Sequence, residues 1–132
     1  MNAFLVDLEN KPGALATIAE ALAAKGVNIT GVSGAMCGDS GRAAITTSDP
    51  AATRQVFETT HASFKELEIT EVSLTDKPGS LAQATRRLAT AGVNIEAIFP
   101  TGMSGSDIKV AFVTNNAAKA KDVLSTAGTA TR

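Results

Sequence analysis

The sequence predicts an α+β fold made of two tandem βαββαβ units, each with an antiparallel sheet and its helices on one face. The first observation is a repeat: residues 8–29 and 74–95 share 12 of 22 positions in a chain of 132 residues. The second is that both copies alternate between strand and helix periodicity in the same order. A duplication displaced by half the chain length explains both observations.

The first half of each unit follows from local patterns. Alternating apolar residues predict a first strand at Phe4, Val6 and Leu8, and again at Val72 and Leu74. A Lys-Pro-Gly turn precedes a helix whose apolar stripe is Leu15, Ile18, Ala19 and Leu22, or Leu81, Ala84 and Leu88. Gly26 and Gly92 stand where a glycine ends a helix.

The second half of each unit has the same kind of support. Second strands open at Val27-Asn28-Ile29 and Val93-Asn94-Ile95, and third strands lie near Ala43–Thr47, after a loop with Gly38 and Gly41, and at Ile108–Thr114. Second helices begin at Asp49-Pro50 and at Asn115-Asn116, the latter running near Ala117–Thr126. A fourth strand is predicted at Phe64–Thr70. We expect domains at residues 1–69 and 70–132, the second with a short or missing last strand.

Composition excludes several classes of function. Apolar residues make up 44% of the chain and charged residues 19%, which is typical of a globular protein. Twelve basic residues oppose thirteen acidic ones and Trp and Tyr are absent, so nucleic acid is not an expected partner. No apolar run approaches about 18 residues, so we expect no membrane span. The single cysteine fits a reducing compartment, and we expect a cytoplasmic protein.

Catalytic and metal chemistry lack a motif. His61 and Cys37 have no metal-ligand spacing, so we interpret His61 as a surface or capping residue after the second helix and Cys37 as a small packing residue. Met36 and Met103 are interpreted as core or interface packing. The glycine-rich loops match neither a phosphate-binding loop nor a dinucleotide fingerprint. We therefore expect no catalytic residue, no metal and no cofactor.

The Lys-Pro-Gly turn suits a small zwitterionic ligand. Pro12 fixes the backbone and Gly13 removes a side chain, so a ligand can approach the main chain and the helix N-terminus. Asn10 and Asn28 each offer a donor and an acceptor, as a carboxylate and an ammonium require. The competing interpretation is a plain turn with local capping. Asp76 replaces Asn10 in the second copy and repels a carboxylate, so we expect the first copy to be the better site.

The chain resembles the ACT domain, a ligand-sensing module of amino-acid metabolism. The resemblance lies in the segments ENKPGAL (residues 9–15) and TDKPGSL (75–81), each followed by a short helix and GVNI. It implies a ferredoxin-like fold and an amino acid held where two such domains meet. The ligand-binding residues it implies are Asn10, Lys11, Pro12, Gly13, Ala14, Leu15, Asn28 and Ile29, with Asp76, Pro78, Gly79, Ser80, Leu81, Asn94 and Ile95 in the second copy.

Three functions remain open at the level of sequence. The first is an amino-acid sensor without catalytic activity, which shifts an assembly state when ligand binds. The second is a regulatory subunit acting in trans on an amino-acid biosynthetic enzyme, such as acetolactate synthase. The third is a small enzyme, for which no cluster of acid, base and nucleophile is evident. A one-sided sheet exposes an apolar face and edge strands, so we expect a homodimer in each case.

Overall fold

The computed structural model describes residues 1–126. They form two compact units, the first at Asn2–Leu67 and the second from Glu68 onward. The first unit contains β1 Asn2–Glu9, α1 Ala14–Ala24, β2 Ile29–Cys37, β3 Ser40–Thr47, α2 Pro50–Thr59 and β4 Phe64–Glu68. The second contains β5 Thr70–Leu74, α3 Ser80–Thr90, β6 Ile95–Ser104, β7 Asp107–Thr114 and α4 Ala117–Thr126.

The sheet topology confirms the predicted α+β fold with two ferredoxin-like units. The first sheet has the strand order β2-β3-β1-β4, and the described part of the second has the order β5-β7-β6. Strands β1 and β5 pair antiparallel with β3 and β7, which lie inside their sheets. The expectation that the last strand of the second unit is short or missing concerns residues 127–132, which lie outside the described residues.

Each unit has its own core between its sheet and its helices. In the first, Phe4 of β1 meets Phe57 of α2 edge-on, with ring centroids 5.6 Å apart. In the second, Leu88 of α3 packs with Phe112 of β7 and Leu124 of α4, and all three are buried. Burial of these side chains supplies the main force that holds helices on the sheet.

Glycine ends the first helix of each unit as predicted. Gly26 and Gly92 have φ angles of 70° and 77°, in the left-handed region that favours glycine. The N–H of Gly26 donates to the carbonyl of Ala23 at 2.9 Å, and the N–H of Val27 donates to that of Leu22 at 3.0 Å. This pair of bonds is the Schellman motif, which satisfies carbonyls at the end of a helix.

Several predicted core positions were wrong. Leu15 and Leu81 are 45% and 48% exposed because they stand in the first turn of α1 and α3, next to the loop. Cys37 is exposed and not packed as expected. Met36 and Met103 are 42% and 60% exposed, which contradicts core packing and leaves interface packing as a prediction. These three residues lie at the ends of β2 and β6 beside the hairpin turns, away from the two core clusters.

Small differences also occur at element boundaries. Gly41 lies within β3 and not in a loop, since β3 begins at Ser40. The second strands begin at Ile29 and Ile95, one residue after the asparagines. His61 is exposed and follows α2, as predicted. None of the helices in residues 1–126 is long and apolar enough to cross a membrane.

Candidate functional site

The loops that join the first strand to the first helix are shaped by glycine in both units. Gly13 and Gly79 have φ angles of 89° and 95° and occupy the N-cap positions of α1 and α3. Neither helix receives a side-chain cap. The N–H groups of Ala14 and Ser80 donate to the carbonyls of Lys11 and Lys77 at 3.4 Å, and the next N–H groups of each first turn are left as donors that a carboxylate can accept from.

Asn10 ties the first-unit loop to the neighbouring hairpin. Its Nδ2 donates to the carbonyl of Gly38 at 2.8 Å, and its backbone N–H donates to that of Asp39 at 2.8 Å. The amide of Asn10 is therefore engaged in holding the loop closed. Asp76 occupies the matching position of the second unit, and its carboxylate has no proton to donate to a carbonyl.

The asparagines of the GVNI segments lie at the opposite end of each sheet. Asn28 exchanges hydrogen bonds with Ser48 after β3, through the Ser48 Oγ at 3.0 Å and the Ser48 N–H at 2.9 Å. Asn94 bonds in the same way to Asn115 after β7. Since β3 has eight residues, about 25 Å separates its ends. Within one unit, Asn28 and Ile29 are thus far from Asn10, as Asn94 and Ile95 are from Asp76.

A pocket of about 340 Å³ lies beside the second-unit loop. It lies between the second sheet and the start of α3. Its walls are almost entirely apolar, and the apolar residues that line it are Leu74, Leu81, Ile98, Phe99, Pro100, Ile108 and Val110. The volume lies at the low end of the range of about 300–1,000 Å³ that small-molecule sites occupy.

Polar groups gather at one end of the pocket. Thr75, Asp76 and Lys77 supply them from the loop, and Ser80 supplies one from the first turn of α3. Asp76 and Lys77 are exposed and carry opposite charges, whereas Ser80 is only 5% exposed. The arrangement places an acceptor and several donors beside an apolar cavity, which suits a small zwitterion with an apolar tail.

Strand register shows how the matching place in the first unit differs. Leu8 and Leu74 are equivalent in the repeat, and they pair with Gly41 and Ile108 respectively. Ala43 of the first unit and Val110 of the second are likewise equivalent in their sheets. Their partners on the edge strands, Gly34 and Pro100, are therefore equivalent as well. Three walls of the second-unit pocket are therefore missing or reduced in the first.

The perturbed acids lie away from the pocket. The Ser63 hydroxyl and then the Arg42 guanidinium donate to Asp7 and lower the pKa of its carboxyl. Arg54 and Asn2 donate to Glu66 and lower its pKa to about 2. Both acids take part in side-chain pairs on the first sheet. Among residues 1–126, no three His, Cys, Asp or Glu side chains cluster as a metal site would require.

A family model described as the ACT domain pair matches residues 1–128. The chain belongs to the ACT domain pair family. Among curated proteins, none matches it significantly.

Solved structures share the fold of this ACT domain pair. A protein from Bacteroides thetaiotaomicron is 25% identical, with a TM-score of 0.84, and the alignment covers 98% of this chain and 89% of that one. The ligand-free regulatory subunit of aspartate kinase from Thermus thermophilus is 21% identical, with a TM-score of 0.67 and coverage of 96% and 90%. At that identity the second likeness concerns the fold alone.

The site predicted from the sequence of this ACT domain pair did not include most of the residues that line the pocket. Asp76, Ser80 and Leu81 were predicted and line the pocket, but Ile98, Pro100, Ile108 and Val110 were not predicted. The missed residues lie on β6 and β7, and only strand register brings them beside the loop. A signal did exist at one position, because Pro100 replaces Gly34 of the first copy at the displacement of the repeat.

Proposed function

We propose that this ACT domain pair is a regulatory protein that binds one free amino acid at the pocket of its second unit. The observation that carries the proposal is an apolar pocket of about 340 Å³ beside the exposed carboxylate of Asp76 and the start of α3, which has no side-chain cap. The sequence favoured the first copy as the better site, but the first-unit loop offers less, because the amide of Asn10 is already bonded to Gly38.

The ligand's two charged groups match the loop. Its carboxylate accepts from the first N–H groups of α3 and from the ammonium of Lys77, where the helix dipole also favours negative charge. Its ammonium donates to the carboxylate of Asp76. The absence of a side chain at Gly79 lets the ligand approach the main chain, since a Cβ there would meet no atom within 4 Å and the space is open.

The proposed role is regulatory and not catalytic. Asp76, Lys77 and Ser80 can bind and orient a zwitterion, but no histidine or cysteine lines the pocket with them. Such a group of side chains lacks the paired nucleophile and base that covalent catalysis uses. Ligand binding would instead favour the conformation or assembly state in which the loop is ordered, and so change the affinity for a partner.

A regulatory subunit acting in trans is the second candidate. The observation behind it is that a separate regulatory subunit of aspartate kinase has the same fold over 90% of its length. In this version the partner is an amino-acid biosynthetic enzyme, and the chain acts as a homodimer through edge strands such as β2 and β6. Stoichiometric co-purification with such an enzyme would favour this candidate over a stand-alone sensor.

Thermal-shift measurements with the twenty amino acids, followed by calorimetric titration of each hit, test the proposal. A ligand that binds only the folded state stabilises it by about 2.7 kcal/mol at a hundredfold excess over Kd. We expect Asp76→Asn to weaken binding about tenfold, because it removes the charge that faces the ammonium.

The matched control is Glu9→Gln, which removes one exposed carboxylate from the equivalent loop of the first unit. It should leave the affinity unchanged. If no amino acid raises the melting temperature, the proposal fails. Equal losses from both substitutions would show that overall charge, and not this pocket, governs binding.

A further inference from the structure

We infer that the amino acid bound by the second unit has an apolar side chain larger than that of alanine, and that the first unit does not bind it. The inference rests on the proposed function and narrows its ligand class. Its basis is the composition of the pocket wall together with the differences between the two copies.

The interior of the pocket offers a ligand side chain only apolar contacts. Leu74 and Val110 are 4% and 9% exposed and line its wall, together with Ile98 and Leu81, which are half-exposed. The polar groups of the loop lie at the other end of the pocket. In the proposed complex they bind the ammonium and the carboxylate that all free amino acids share. A hydroxyl, amide or charge on the ligand side chain would lose its water without gaining a partner.

Ser80 provides a second and independent sign of a ligand. It is 5% exposed and lines the pocket, and within the described part of the chain no group bonds to its hydroxyl. No described polar side-chain atom is both fully buried and without a partner. The Ser80 hydroxyl oxygen is therefore not fully buried, and because Ser80 lines the pocket, a ligand carboxylate bound there can accept a hydrogen bond from it.

The first unit lacks both features. Ala14 stands in place of Ser80 and has no hydroxyl. Gly41 stands in place of Ile108, and a Cβ at Gly41 would lie only 2.6 Å from the Sδ of Met36. The backbone carbonyl of Ala35 lies closer still, so backbone and the Met36 side chain together take the space where Ile108 has its side chain in the second unit. The equivalent wall cannot form without displacing it.

Calorimetric titration of the full chain with a series of free amino acids tests the inference. We expect leucine, isoleucine, valine or methionine to bind at least about tenfold more tightly than alanine, serine, aspartate or lysine, since one methylene in an apolar pocket is worth about tenfold or more. Binding of the larger ligands should also have the more negative heat-capacity change, the marker of apolar burial. The stoichiometry should be one per chain.

Substitutions on the edge strands supply a matched pair. Ile98 and Val32 are equivalent in the two units and 42% and 47% exposed. Ile98→Thr should weaken leucine binding about tenfold while changing alanine binding little, and Val32→Thr should change neither. Ser80→Ala should weaken both ligands by a similar factor, because the hydroxyl meets the group that they share.

The outcomes separate this inference from the proposed function. A polar or charged amino acid that binds most tightly and depends on Asp76 would overturn the inference and leave the proposed function intact. Two ligands per chain, or a loss of affinity in Val32→Thr equal to that in Ile98→Thr, would overturn the exclusion of the first unit. Absence of binding by every amino acid would remove the proposed function and this inference together.

Discussion

Glu66 is the acid whose surroundings stabilise its charged form most strongly. Its carboxylate accepts from Arg54 Nε at 2.6 Å, from Arg54 Nη2 at 2.8 Å and from Asn2 Nδ2 at 2.7 Å. Its side chain is 17% exposed, so the bidentate contact with the guanidinium is partly shielded from water. The contact joins α2, β4 and the start of β1, three elements that are distant in sequence.

This contact makes stability depend on pH in the acid range. The pKa of Glu66 falls from an ordinary 4.5 to about 2, so its contribution is present above pH 4.5 and is lost as pH falls toward 2. We expect Glu66→Gln to lower the free energy of unfolding by about 1–2 kcal/mol at pH 7. Urea unfolding at a series of pH values measures both quantities.

The control for this prediction is Glu68→Gln, an exposed acid on the same strand. This substitution should change the free energy of unfolding little at any pH. The difference in stability between the wild type and Glu66→Gln should shrink as pH falls from 4.5 to 2. A difference that stays constant over that window would show that the carboxylate charge is not the source of the effect.

Among single residues, the sequence predicts some of those that line the pocket and not others. Asp76, Ser80 and Leu81 are found because they belong to a continuous motif that the repeat highlights. Ile108 is not found, because its place opposite Leu74 depends on the pairing of β5 with β7. A shift of one residue in that pairing would turn the Ile108 side chain to the other face, and no local pattern specifies register so finely.

The two helices of each unit begin in different ways. In α2 the Asp49 carboxylate accepts from the N–H of Ala52 at 3.0 Å, and in α4 the Asn116 side chain accepts from the N–H of Lys119 at 3.1 Å. In α1 and α3 the N-cap is glycine and no side chain accepts from the N–H groups of the first turn. Side-chain caps thus stabilise the second helices, and the first helices keep donors available at the loop.

We expect Asp49→Ala to lower the free energy of unfolding by about 1 kcal/mol, because the N–H of Ala52 loses its acceptor. Asp49→Asn keeps an acceptor oxygen at the same position and should cost much less. Urea titration followed by circular dichroism measures both variants. Equal losses in the two would show that the charge of Asp49 matters and that its capping bond does not.

Element boundaries were largely predictable because start and stop signals coincide with periodicity. Asp49 before Pro50 marks the start of α2, and the glycines at 26 and 92 mark the ends of α1 and α3, where the structure has them. The apolar stripe was less reliable at its ends. Leu15 fits the helical period as well as Leu22 does, but periodicity does not tell how far the sheet extends beneath the helix.

Duplication gave the whole molecule two similar units that have since diverged at different places. The cores keep the same plan, with Leu22 and Leu88 buried in equivalent positions of α1 and α3. The loop regions differ, with Asn10, Ala14 and Gly41 in the first unit against Asp76, Ser80 and Ile108 in the second. The differences at the loop end give the second unit groups that the first unit lacks.

The shared core plan leads to a prediction for the whole chain. Leu22 and Leu88 are 0% exposed, whereas Leu15 and Leu81, on the same two helices, are 45% and 48% exposed. Without ligand, Leu22→Ala and Leu88→Ala should each lower the free energy of unfolding by about 2–4 kcal/mol, since each leaves a cavity in its core. The same substitution at Leu15 or Leu81 should lower the free energy of unfolding by under about 1 kcal/mol, because little apolar surface is lost there.

Thermal and urea unfolding of the four variants provide the comparison. A small loss at only one of the buried leucines would mean that its unit contributes little to the measured transition, and the two copies would then not be equivalent in stability.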